Sequence, residues 1–254
     1  MRQNEQGLYL RSVKLLRETV PTFDEYPFHL NAIRKFDELA FHPKVTYIVG
    51  ENGMGKSTLM EAIAVGLGFN PEGGTINFNF STEATHSELH RYLRLARSAY
   101  KPRDGFFFRA ESYYNLATNI DQLDREDGGG GRIIDSYGGK SLHQQSHGES
   151  FFATFLHRFN GNGLYMMDEP EAALSPFRQM AMLSRIHQLV GQRSQFIIAT
   201  HSPILMAYPD AVIYNLTAEG IERTTLEDTD HYMLMKRFIN NRESMLHELF
   251  LDEE

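Results

Sequence analysis

Lys56, Ser57 and Thr58 close a glycine-punctuated stretch, VTYIVGENGMGKST at 45–58, with Gly50, Gly53 and Gly55 in the loop. Val45 to Val49 is short, apolar and β-branched, the composition of a buried parallel strand. LMEAIAVGLG then continues with helical spacing. Strand, glycine-rich loop, Lys-Ser and helix together are the full context of a phosphate-binding loop. Glycines let backbone N–H groups turn inward around phosphate oxygens. The helix opening near Lys56 brings its positive dipole end to the same anion. In such a loop Lys56 reaches the β- and γ-phosphates and the Ser57 hydroxyl sits on Mg²⁺. Glu51, Asn52, Gly53, Met54, Gly55 and Thr58 complete the cradle. The expectation is a bound nucleoside triphosphate.

Two further groups fit the same chemistry. Asp168 and Glu169 close the apolar strand LYMMDE. Alone, such a pair reads as a solvated strand end. Joined to a phosphate loop, the first carboxylate holds Mg²⁺, usually through water, and the second orients or deprotonates the attacking water. General-base help of this kind is worth roughly 10²–10⁴ in rate. His201 comes after the apolar run QFIIAT, about one helix and one strand later. That spacing returns it to the same sheet edge, where it can hydrogen-bond the γ-phosphate or place the water. Lys56, Glu169 and His201 are therefore the expected catalytic groups.

The elements that must position these groups alternate along the chain. LYLRSVKLL at 8–16 reads as a strand, a turn spans Pro21 to Pro27, and FHLNAI at 28–33 reads as a second strand. Tyr9, Phe28 and Phe36 do not separate from core residues as base contacts. PEGG at 71–74 is a turn and TINFNF at 75–80 an alternating strand. Residues 85–99 read as an amphipathic helix carrying Arg91, Arg94 and Arg97, either a solvated face or an anion patch. GFFFRAES at 105–112 is a buried strand ending in polar groups, and SYYNLATNIDQL turns helical. DREDGGGGR at 124–132 reads as a flexible loop. A helix begins near Gly148, with Phe151, Phe152, Phe155, Leu156 and Phe159 on its buried face. After the LYMMDE strand, PFRQMAMLSRIHQLV is an amphipathic helix. DAVIYNLTAEGIERTTL makes two antiparallel strands around Gly220, and the C-terminal segment is helical in two pieces. Strand ends bearing chemistry, with helices between, predict an α/β fold with an open, mostly parallel sheet and its ligand at the carboxyl edge.

Composition sets the bounds. The 254 residues are 41% hydrophobic and 23% charged, with no cysteine. Thiolate metal sites, disulfides and cysteine nucleophiles are excluded, and a reducing cytosol fits. No stretch approaches the ~18 consecutive apolar residues of a membrane span. MRQNEQGLYL lacks a signal-peptide core, so the reading is soluble and cytoplasmic. The net charge of −8 supplies no global basic field for nucleic acid. A local basic patch stays open.

The combination resembles the ATP-binding-cassette (ABC) ATPases over almost the whole chain. GENGMGKST, YMMDEPEAALSP and ATHSP stand in that family's order and spacing. SHGES at 146–150 sits at the place of the family's signature loop, LSGGQ. Ser146 and Gly148 match it, whereas His147 and Glu149 depart from it. The resemblance implies a P-loop NTPase head over 1–254, with N-terminal antiparallel strands and a helical subdomain at roughly 112–160. It implies ATP and Mg²⁺ as ligands, and a homodimer in which Ser146 and Gly148 reach the γ-phosphate held by the other subunit. Glu111 stands where the family has a metal-touching glutamine, and reads equally as a ligand or as a solvated glutamate. Ala173, Leu174 and Ser175 occupy the segment that family dimers use across the interface. DEPEAALSP and THSP are similar to the soluble branch linked to recombination, repair and phage defence. Too little chain separates Glu111 from Ser146 for a long coiled-coil arm, and too little remains after His201 for a nuclease domain. The implied function is an ATP hydrolase acting as an ATP-gated switch for a protein partner. The alternatives are a transporter's nucleotide-binding subunit, or a sensor regulating a partner nuclease.

Overall fold

The apolar runs of the sequence become strands that are buried on both faces. The structure, a computed structural model, describes residues 8–76, 87–126, 133–137, 139 and 147–251. In chain order come β1 (Leu10–Leu15), α1 (Asn31–Lys35), β2 (Glu38–Ala40), β3 (Val45–Gly50) and α2 (Lys56–Leu67). Next are β4 (Leu93–Arg97), β5 (Asp104–Arg109), α3 (Tyr113–Glu126) and α4 (His147–Arg158). β6 (Gly163–Asp168) leads through α5 (Pro176–Gly191) to β7 (Gln195–Ala199) and the short α6 (Pro203–Met206). β8 (Val212–Thr217), β9 (Gly220–Thr224), α7 (Asp230–Asn240) and α8 (Arg242–Leu251) complete the described chain.

Two sheets result. The larger runs β5-β6-β7-β3-β8-β9, parallel except for β9, which pairs antiparallel with β8. The smaller, β2-β1-β4, is antiparallel throughout. Because side chains alternate across a strand, each central strand feeds two cores. Val45, Tyr47, Phe106, Phe108, Tyr165, Met167, Phe196 and Ile198 face one core, which α3, α4 and α5 cover. Ile48, Phe107, Leu164, Met166 and Ile197 face the other, shared with α2 and the antiparallel sheet. Burial on both faces is what a parallel strand flanked by helices requires.

A buried side-chain amide joins the two sheets. Gln195, at the start of β7, is fully buried. Its Oε1 accepts from the backbone N–H of Tyr9 and of Leu10, each at 2.9 Å. Its Nε2 donates to the Leu10 carbonyl at 2.9 Å and to the His42 carbonyl at 3.0 Å. All the hydrogen-bonding capacity of that side chain serves the backbone of two distant segments.

Several sequence expectations change. Residues 28–33 do not form a strand. Phe28, Ala32, Ile33 and Phe36 are buried with the spacing of a helix rather than of a strand, and α1 forms there. Residues 85–99 do not form one amphipathic helix. A 3₁₀ turn at Glu88–Tyr92 leads into β4, which pairs with β1 along its length. Tertiary pairing thus overrides local helix propensity, as is common for short amphipathic runs. The three arginines then share no helical face. Arg91 pairs with Glu88 at 2.9 Å, Arg97 donates to the Gly66 carbonyl at 2.8 Å, and Arg94 is exposed on β4. Leu156 is exposed rather than on the buried face of α4. Within TINFNF, residues 77–80 lie outside the described residues, and the segment before them makes one bridge, Gly74 to Phe107. Of DREDGGGGR, residues 124–126 prolong α3 and 127–132 lie outside the described residues.

Replacing Gln195 by Leu strands the buried N–H and C=O groups it now satisfies, each worth about 1–3 kcal/mol. The Gln195→Leu variant is expected to lose ~3 kcal/mol or more in urea unfolding. Unchanged midpoint and slope would show that the amide does not tie the sheets together.

Candidate nucleotide site

Strand register brings the site together. β6 and β7 align Asp168 with Ala199, and β3 and β7 align Ile48 with the same Ala199. β6 and β7 therefore end level with Ile48, and β3 runs two residues further, to Gly50. Each end delivers one part of the site: the phosphate loop after β3, Glu169 after β6 and His201 after β7.

The loop turns sharply at Gly50, whose φ of 136° and whose contact with the Leu216 carbonyl leave no room for a Cβ. α2 then starts at Lys56 with no side-chain cap at its N-terminus. Its first N–H groups thus remain for a ligand, as at other anion-binding helix ends. Glu51, Asn52 and Gly53 are exposed, while Met54, Gly55, Ser57 and Thr58 are half-buried. Lys56 is buried, and its Nζ donates to the carbonyls of Gly50 at 2.8 Å and Glu51 at 3.1 Å. Burial lowers the Lys56 pKa from its ordinary value, against the opposing pull of Glu169, Asp168 and Glu171.

Ser57 Oγ donates to Asp168 Oδ1 at 3.3 Å. Burial pushes the Asp168 carboxyl up to about 6, although Arg109 and the Ser57 hydrogen bond act the other way. A hydroxyl and a carboxylate at this separation suit a small oxygen-seeking cation that takes its remaining ligands from phosphate and water. Among the described residues no three His, Asp or Glu side chains gather as a metal site by themselves. The donor set thus fits Mg²⁺ held jointly with a phosphate ligand.

Glu169 has a left-handed backbone, φ 51° and ψ 51°, unusual for a non-glycine residue. Its N–H is fixed by the Ala199 carbonyl at 2.9 Å. Its Oε1 lies 3.4 Å from His201 Nε2. That distance is an electrostatic contact only, since His201 Nε2 is buried without a hydrogen-bond partner. The His201 N–H donates to Glu171 Oε1 at 2.5 Å, and its Nδ1 meets His231 Nε2 at 2.8 Å. Burial, helped by the positive charge of Lys56, lowers the His201 pKa. Both effects favour the neutral ring.

Glu111 does not join Ser57 and Asp168. Its largely exposed carboxylate pairs with Arg109 Nη2 at 3.2 Å. Arg109 occupies the ground between. Its Nη1 pairs with the buried Glu61 at 2.7 Å, and its Nε lies 3.9 Å from Asp168 Oδ2. The expected trans-acting pair divides. Ser146 lies outside the described residues. Gly148 sits in the first turn of α4, where a Cβ would overlap the Ala173 carbonyl and crowd Arg178. Gly148 thus packs on the segment after Glu169 in its own chain. Leu174 of that segment is buried, and Ser175 caps α5 by accepting from Arg178 N–H.

Sequence reasoning missed four residues here. Arg109 shares a register level with Asp168 that only the β5–β6 pairing creates. Glu171 holds the backbone of His201, and its pKa is raised by burial. Its signal was legible as a third acid in DEPE. His231 comes from a distant helix. Tyr26, 60% exposed, places its hydroxyl 3.2 Å from Thr58 Oγ1. Tyr9, Phe28 and Phe36 are all buried and belong to the core.

Residues 28–145, a little under half of the chain, match the family model described as an AAA domain. The sheet order, with the glycine-rich loop, the acidic strand end and the histidine at one edge, gives an α/β fold with a mostly parallel sheet and additional antiparallel strands. Solved structures that it resembles include a nucleotide-free ATP-binding cassette from an ABC transporter, with 16% identity and a TM-score of 0.47, covering 85% of this chain and 91% of that one. Another is the SMC head domain from Thermotoga maritima, with 15% identity, a TM-score of 0.41 and coverages of 85% and 98%. A third is CbiO1 from Clostridium perfringens, part of the CbiONQ transporter complex, with 16% identity, a TM-score of 0.44 and coverages of 83% and 90%. No curated protein sequence matches the chain. No described helix is long and apolar enough to cross a membrane.

The raised pKa of Asp168 has a defined sign. The folded state holds this proton more tightly than the unfolded chain, so stability is present below about pH 4 and lost as pH rises through about 6. In chelator-treated, nucleotide-free protein, Asp168→Asn is expected to remove this slope. Relative to the variant, wild type should lose on the order of 2–3 kcal/mol between about pH 4 and 7. Parallel stability curves for the two proteins would contradict the assignment.

Proposed function

We propose that this chain is a soluble, cytoplasmic ATP hydrolase of one domain that works as an ATP-gated dimerisation switch. What carries the reading is the convergence on one sheet edge of Ser57 with Asp168 at 3.3 Å and of Glu169 with His201 at 3.4 Å. In this reading the N–H groups of the loop and of α2 cradle the phosphates of ATP. Lys56 exchanges its bonds to the Gly50 and Glu51 carbonyls for β- and γ-phosphate oxygens. Ser57 and Asp168 hold Mg²⁺, which when bound offsets negative charge on those oxygens. Glu169 orients the attacking water and takes its proton. His201 faces the γ-phosphate with its Nε2. Tyr26 stands beside Thr58 on the exposed rim as an aromatic next to the loop.

Support for a second copy comes from the surface beyond Glu169. Phe177, next to the Ala173–Ser175 segment, is 80% exposed, and Met180 is also exposed on the same helix. A second chain covering that surface would bring its own Ser146 and Gly148 loop towards the nucleotide. Such an interface drives a protein effector only through different affinities for the open and closed states. Repair or phage defence is the setting to which the soluble branch points.

Two variants separate binding from turnover. Lys56→Ala is expected to lose ATP binding and turnover together. Glu169→Gln should keep binding while turnover falls by roughly 10²–10⁴, as for loss of a general base. In Mg·ATP the same variant should elute as a dimer on size-exclusion chromatography. Wild-type turnover no higher than that of Lys56→Ala would end the hydrolase reading, and a monomer under all conditions would end the switch.

A further inference from the structure

His201 is held by a residue that the phosphate-loop, acidic-strand and histidine motifs do not contain. His231 lies in the first turn of α7, thirty residues along the chain, and its Nε2 is 2.8 Å from His201 Nδ1. The two rings tilt at 60° with centroids 4.7 Å apart, so the contact is a nitrogen-to-nitrogen hydrogen bond and not a stack. One hydrogen occupies that bond, and one of the two nitrogens must be bare. If His201 Nδ1 carried it, the bare Nε2 lone pair of His201 would face the Glu169 carboxylate at 3.4 Å. Two electron-rich groups at that distance repel. If His231 Nε2 carries it, His201 holds its own hydrogen on Nε2, facing the carboxylate favourably. The second arrangement also turns an N–H towards the place where a γ-phosphate oxygen would lie.

We infer that His231 is a positioning residue, donating to His201 Nδ1 and thereby keeping His201 in the Nε2–H tautomer that donates to phosphate. The inference rests on the hydrolase reading for its kinetic consequence, but the tautomer itself does not depend on turnover. The arrangement obeys the general logic of histidine sites, in which the bond at one nitrogen decides what the other can do. His201 is fixed at its backbone by Glu171 and at its ring by His231, so both its place and its proton are specified. The link also ties the site to the C-terminal helices. His201 and His231 line a cavity of about 620 Å³ walled by Leu234, Met235 and Phe238 of α7 and by Met245 and Leu249 of α8.

The test combines spectroscopy with kinetics on the full chain. ¹⁵N correlation spectra of the imidazoles, assigned with His201→Gln, should show His201 with hydrogen on Nε2 in wild type. In His231→Leu the same ring should show mixed tautomers. With Mg·ATP, His231→Leu is expected to lower kcat about tenfold with KM within about twofold of wild type. His231→Gln, whose amide N–H can still donate to Nδ1, should recover most of that loss. In a His201→Gln background, His231→Leu should cost nothing further. Hydrogen on Nδ1 of His201 in wild type would overturn the inference, as would a His231→Leu variant with unchanged tautomer. So would unchanged kcat in His231→Leu alongside an active wild type. Wild type no more active than Lys56→Ala would instead defeat the hydrolase reading, and the spectra would still decide the role of His231.

Discussion

The candidate site depends on three parallel strands held in register at their carboxyl ends. β3, β6 and β7 are neighbours, and their registers put Ile48, Asp168 and Ala199 side by side. Parallel strands all point their carboxyl ends the same way, so the chain must leave the sheet on one side after each of them. A one-residue slip of β6 would turn Asp168 to the opposite face of the sheet. It would also separate its carboxylate from the Ser57 hydroxyl. The unbroken apolar faces of these strands resist such a slip. Phe106, Tyr165 and Phe196 lock one core while Phe107, Leu164 and Ile197 lock the other.

The edge so formed concentrates charge in a poorly solvated place. Asp168, Glu169 and Glu171 lie close together in the chain, and Lys56 and Arg109 are the cations beside them. Burial opposes ionisation of each buried member, which is why the carboxyl of Asp168 is raised and the ammonium of Lys56 lowered. The buried Glu61 fastens Arg109, leaving it close to Asp168 but outside hydrogen-bond reach. A polyanion with its cation would replace these internal contacts with stronger ones.

The antiparallel sheet shows the same economy of contact. Gln195 occupies the first position of β7, opposite to the end that carries His201, and uses its amide to hold β1 and the segment before β3. One strand thereby fixes the small sheet at its start and the candidate site at its finish. β4, which the sequence pattern presents as helix, is part of this small sheet because β1 offers it a complete set of backbone partners. Local preference for helix is worth only fractions of a kcal/mol per residue, and a full ladder with buried Leu93 outweighs it.

Residue order was enough to mark the glycine-rich loop between a strand and a helix, the acidic strand end, the histidine after the third apolar strand, and the α/β class. Each of these is a local pattern, readable because a glycine turn, a buried strand or an amphipathic helix repeats over a few residues. The remainder came from packing. It gave Arg109 to Asp168 and kept Glu111 outside, because side-by-side strand register is not written in either strand alone. It split the segment at 28–33 from the strand class and built α1 there, because burial by the neighbouring sheet selects a helical face. It also brought His231 from the C-terminal helices to His201, a contact between residues thirty apart that no periodicity marks. Chemistry carried on neighbouring residues was legible. Chemistry made by elements meeting across space had to wait for the fold, since packing, and not sequence spacing, sets those distances.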